Sequence, residues 1–104
     1  MLPIEISKNH ETETRWYFVV SVGHNSSKIG FSVELDKDHW IALTEERRTP
    51  EYLVRRSFHF LLKRKPPILL QRNFNLKELK ESFPEYEEEM KRKTQRRWLH
   101  IFPV

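Results

Sequence analysis

Apolar and polar residues alternate along the first third of the chain, with the period of two that a half-buried strand requires. Residues 3–7 (Pro-Ile-Glu-Ile-Ser) carry the alternation briefly and predict a short strand. Residues 15–22 (Arg-Trp-Tyr-Phe-Val-Val-Ser-Val) are aromatic and β-branched, the types that fit a pleated, half-buried surface. Gly23 to Lys28 is a polar turn cluster. Residues 29–35 then alternate strictly, with Phe31, Val33 and Leu35 on one face. Two such runs around a short polar loop predict an antiparallel hairpin.

After Leu35 the apolar spacing becomes helical. Asp36 is placed to cap a short helix over 37–45, with Trp40, Ile41 and Thr44 on one side and Leu43 beside them. Thr49-Pro50-Glu51 supplies a hydroxyl cap, a proline at the first helical position and an acid in the first turn. The helix this predicts, 50–64, carries an apolar stripe of Leu53, Val54, Ser57, Phe58, Leu61 and Leu62. Arg55, Arg56, His59, Lys63 and Arg64 lie largely opposite, and Pro66-Pro67 ends the helix. Residues 68–74 fit a helical turn or a short strand equally. Asn75 and Glu78 have capping-box spacing and predict a short helix over 76–82. Pro84 opens a last helix, 84–96, that runs from Glu85, Glu87, Glu88 and Glu89 to Lys91, Arg92, Lys93 and Arg96. Its acid-to-base order follows the helix dipole, and Glu87/Lys91, Glu88/Arg92 and Glu89/Lys93 stand four apart in the favourable order. That charge run predicts a solvated helix.

These elements predict an α+β fold in one domain over 1–104: β-rich over 1–35, helical over 36–97, then an apolar tail over 98–104. An antiparallel sheet of two or three strands packs against three or four helices, its core formed between the hairpin and the helix over 50–64. The tail, Trp98-Leu99-His100-Ile101-Phe102-Pro103-Val104, is too apolar to stand in water. It is expected to dock on the domain or on a partner through Trp98, Leu99, Ile101 and Phe102.

Composition narrows the function classes. The chain of 104 residues has no cysteine, which excludes disulfides and thiolate metal sites and fits a reducing, cytoplasmic setting. With only two glycines it lacks the phosphate-cradling loops of nucleotide-binding enzymes. No apolar run is long enough to span a membrane, and the first residues lack the basic and apolar regions of a secretion signal. A membrane partner is therefore not expected. Net charge is +4, but 19 cations against 15 acids permit a nucleic-acid partner without requiring one.

Candidate chemistry is sparse. The five histidines lie in different segments with no metal-ligand spacing, so no metal or cofactor is implied. Glu34, Asp36 and Lys37 resemble part of the carboxylate-and-lysine cluster of metal-dependent nucleases, although Asp36 is more simply a helix cap. No serine has a nucleophile-elbow context. Catalytic residues are not predicted, and the chain is expected not to be an enzyme. Cations gather as Arg47-Arg48 beside the helix start at Thr49, as Arg55, Arg56, His59 and Lys63, and as the basic end of the last helix. The first group adjoins free backbone amides that attract a phosphate, making Arg47, Arg48, Thr49, Arg55 and Arg56 the candidate nucleic-acid contacts.

Residues 30–64, from Gly-Phe-Ser-Val-Glu-Leu through Thr49-Pro50-Glu51 to Leu62, resemble the ribbon-helix-helix repressors and antitoxins. The resemblance implies a DNA-binding dimer, with Ser32 and Glu34 reading the groove and Thr49 with Arg48 holding a phosphate. Leu53-Val-Arg-Arg-Ser-Phe-His-Phe-Leu-Leu62, with Phe74-Asn-Leu76 and Phe83-Pro-Glu-Tyr86, is similar to short prokaryotic proteins without an assigned function. Two functions are expected: a small antitoxin-like accessory module that binds a protein or a second copy of itself, or a DNA- or RNA-binding regulator.

Overall fold

The structure is a computed structural model that describes residues 2–94. Three strands, β1 (Ile4–Glu11), β2 (Arg15–Val22) and β3 (Ile29–Asp36), form an antiparallel meander. A short strand β4 (Asn73–Asn75) joins the far edge of β3 in parallel, giving the order β1-β2-β3-β4. The helices are α1 (Lys37–Thr44), α2 (Pro50–Leu62), α3 (Leu79–Ser82) and α4 (Tyr86–Thr94). The α+β fold read from the patterning is what the chain adopts, with four strands rather than two or three.

Register follows from the alternation. Trp16, Phe18, Val20 and Val22 on β2 stand opposite Leu35, Val33, Phe31 and Ile29 on β3. All but Ile29, which is half-buried, are buried beneath the helices. Tyr17, Val19, Ser21, Ser32 and Glu34 face the other way, where no helix among the described residues covers them, and Val19 is 41% exposed. The sheet therefore has one wet face and one dry face. Gly23 closes β2 at φ 120, a backbone conformation that side-chain-bearing residues rarely adopt.

Leu53, Val54, Phe58 and Leu61 of α2 fill the dry face, and Phe58 meets Phe31 edge-on at 5.2 Å between ring centres. Each such side chain contributes about 1.5–3 kcal/mol by leaving water. The predicted stripe was too narrow: Phe60 is also buried, packed edge-on against Phe83 and Tyr86. Arg64 is not simply solvated either. Its guanidinium lies 3.5 Å from the Phe60 ring centre and contacts Glu85 and Glu89.

Several expectations about the helices change. In α1 the buried residues are Leu43 and Thr44, whereas Ile41 is 43% exposed. The segment 68–74 resolves into a single-turn 3-10 helix at Pro67–Leu69 and the start of β4. Capping at Asn75 holds: its backbone N–H donates to Glu78 and its side chain accepts from Lys77 N–H. The element that follows is a 3-10 turn, Leu76–Glu78, running into α3. The last helix begins at Tyr86, and it is not a solvated rod. Tyr86, Met90 and Thr94 form a buried stripe four residues apart. Its acids reach other elements instead of its own cations, Glu87 contacting His39 and Glu89 contacting Arg64. None of the pairs Glu87/Lys91, Glu88/Arg92 and Glu89/Lys93 closes among the described residues.

Candidate functional site

Thr49 caps α2 as its spacing predicts, its hydroxyl oxygen accepting from Tyr52 N–H at 3.0 Å. The turn before it is tight. Glu45 and Glu46 both take left-handed backbone conformations (φ 54 and 61), a strained arrangement for two non-glycine residues. Contacts from α1 hold it in place: Glu45 N–H donates to Ile41 O, Glu46 N–H to Thr44 Oγ1, and Trp40 Nε1–H to Arg48 O at 2.8 Å. The Trp40 bond fixes where Arg48 leaves the turn.

Arg48, Tyr52 and Arg56 then form a stack at four-residue spacing. The Arg48 and Arg56 guanidinium carbons lie 5.3 and 5.6 Å from the Tyr52 ring centre, within cation–π range. Arg56 Nε–H donates to the Tyr52 hydroxyl at 3.2 Å. That bond pulls the phenol pKa down, against partial burial, and the Arg56 and Arg48 charges pull the same way. Arg48 Nε is sealed from solvent without a hydrogen-bond partner among the described residues. One turn further, burial lowers the His59 pKa, and the charges of Arg56, Arg55 and Lys63 lower it further. Arg55 is anchored by donating to Ile4 O at 2.9 Å.

Glu51 is the only acid in α2, and it makes no ion pair with these cations. Among the described residues Arg48, Arg55, Arg56 and Lys63 have no carboxylate within ion-pair reach. Of the candidate contacts from sequence, the structure gathers Arg48, Thr49, Arg55 and Arg56 on this face. Arg47 turns aside to Glu45 at 3.5 Å. Trp98, Leu99, Ile101 and Phe102 lie outside the described residues. Tyr52, His59 and Lys63 complete the face. Tyr52 could have been found by its place midway between Arg48 and Arg56.

The other candidate cluster is closed. Asp36 precedes α1 but makes no capping bond. Its carboxylate instead accepts from Arg15 Nε at 2.7 Å, Lys77 Nζ at 2.9 Å and Asn75 Nδ2 at 3.1 Å. Partial burial raises its pKa, but these bonds outweigh burial and hold it at about 2. Glu34 accepts from Arg15, and Lys37 is committed to Glu11 and the Trp16 ring. The nuclease-like triplet is therefore a set of structural ion pairs. Among the described residues no group of three histidines or acids could hold a metal. β3 is hydrogen-bonded to β2 on one edge and β4 on the other, so Ser32 and Glu34 lie inside the sheet rather than on a free ribbon.

His39 contacts Glu87 through Nε2 at 3.2 Å, and burial pushes its pKa down although the acid opposes this. Its Nδ1 is buried with no partner among the described residues. The pair ties α1 to α4. No helix among the described residues is long and apolar enough to cross a membrane. Comparison with known proteins found no matching family model, curated protein or solved structure.

Proposed function

We propose that the chain is a non-enzymatic binding module that holds the phosphate backbone of a nucleic acid on the outer face of α2. One observation carries the reading: Arg48, Arg55, Arg56 and Lys63 share one helix face and have no acid partner among the described residues. On and beside the sheet, by contrast, Arg15, Lys28 and Lys37 are paired. Unpaired like charges repel, and a polyanion relieves the repulsion while releasing its counterions. The face from residue 48 to 63 runs about 20 Å at helical rise. Along that length one strand of duplex DNA presents about six phosphates. Tyr52 holds Arg48 and Arg56 within cation–π range, which positions both guanidiniums for phosphates. The cations of this face suit phosphates rather than base edges, so binding is expected to follow the backbone rather than the sequence.

Salt dependence tests the proposal. Log affinity for a duplex should fall linearly with log salt, with a slope of about −3 for three to four phosphates neutralised. Arg48→Ala and Arg56→Ala should each flatten the slope by about one, equally for unrelated sequences. No retention at low salt, or a slope untouched by both substitutions, would refute the reading.

A further inference from the structure

Beyond the last turn of α2 the surface changes character. A cleft of about 170 Å³ opens between α2, the 3-10 turn after it and α3, lined by Leu61, Leu69, Phe74 and Phe83 together with the polar Gln71 and Ser82. Lys65 is the only charged residue in its wall. A second hollow on the same segment is lined by Leu2, Leu62 and Pro67, again with a single charged residue, Lys63. Ile68 and Leu69 stand 64% and 66% exposed, the most exposed large apolar side chains among the described residues. They are held outward rather than free to fold back. Pro66 and Pro67 restrict the backbone, and Leu69 and Leu70 N–H close on Pro66 and Pro67 carbonyls at 3.0 and 3.1 Å.

We propose that this cleft docks an acidic, apolar peptide segment of a partner protein. The cleft is large enough for one aromatic or leucine-sized group, since apolar cavities of about 150 Å³ accept benzene. Lys63 and Lys65 have no acid partner among the described residues, and no carboxylate lines either hollow. The complementary charge is therefore negative. An anionic lipid surface would satisfy the lysines, but it offers no side chain to seat in a preformed hollow, so the concavity favours a peptide knob flanked by carboxylates. The cleft lies past the last turn of α2, whereas Arg48 precedes its first turn and Tyr52 lies on it; Lys63, which belongs to the phosphate face, borders only the second hollow.

The test uses a short labelled peptide alternating leucine and phenylalanine with glutamate, and a lysine counterpart. Vesicles of phosphatidylcholine with phosphatidylserine run in parallel. The acidic peptide should bind at least about tenfold tighter than the lysine peptide. Leu69→Ser and Lys65→Glu, both at exposed positions, should each weaken it by about tenfold, and the neutral Leu69→Ser should leave duplex binding unchanged. Equal binding of the two peptides, or indifference to Leu69→Ser, would overturn the proposal. So would vesicle binding that Leu69→Ser abolishes while neither peptide binds. Loss of peptide binding in Arg56→Ala alone would also overturn it, by moving the peptide to the phosphate face.

Discussion

Asp36 shows how a single side chain can serve the fold rather than a reaction. Its carboxylate, on β3, joins β2, β4 and the turn after β4 through Arg15, Asn75 and Lys77. A carboxylate with a folded pKa of about 2, below its ordinary 3.8, binds its proton less readily folded than unfolded. Its stabilisation is present in full above pH 3.8 and is lost as pH falls through about 2. Asp36→Asn should therefore cost about 1 kcal/mol near neutral pH. The gap from wild type should close in denaturant titrations carried toward pH 2. A gap that stays constant with pH would show that the carboxylate's charge is not what holds the three elements. The sequence suggested a cap at Asp36 because capping is a local rule. Its true partners lie 21, 39 and 41 residues away, and no local rule reaches them.

Between elements, the contact of α2 with α4 rests on a buried polar pair. The Ser57 hydroxyl donates to Leu53 O at 2.8 Å, so its oxygen is left to accept from the Tyr86 hydroxyl at 2.6 Å. Tyr86 is fully buried, and burial pushes its pKa well above the ordinary tyrosine value, the Ser57 bond only partly offsetting this. The phenol therefore stays protonated and donating. Ser57→Ala should cost about 1–3 kcal/mol by stranding the phenol, whereas Ser57→Ala with Tyr86→Phe should recover part of that. Additive losses in a double-mutant cycle would mean that the two hydroxyls act independently. The helix α2 was legible because cap, proline and apolar stripe all lie within one short window. Phe60 escaped because it borders the stripe and is buried only where Phe83 and Tyr86 arrive from a later segment. The strand at β4 stayed one of two open readings for a related reason: a parallel pair is joined by a long crossover, and three residues carry no periodicity of their own.

Across the molecule, charge is sorted rather than merely in excess. On and around the sheet, Arg15, Lys28, Lys37 and Lys77 are each matched to a carboxylate. At α2, Arg48 and Arg56 are stacked on Tyr52, and among the described residues no acid matches them. A net charge of +4 says nothing of this segregation. The spacing of Arg48, Tyr52 and Arg56 does, once the helix is assigned. The cleft was not legible, because Leu61, Phe74 and Phe83 meet only through the crossover that places β4. The most direct test of the α2 face is the ring titration of His59 by NMR, with and without a DNA duplex. Bound phosphates should offset Arg55, Arg56 and Lys63 and raise the His59 pKa from its depressed value, an effect that fades with added salt. A His59 titration unchanged at saturating duplex would contradict the account.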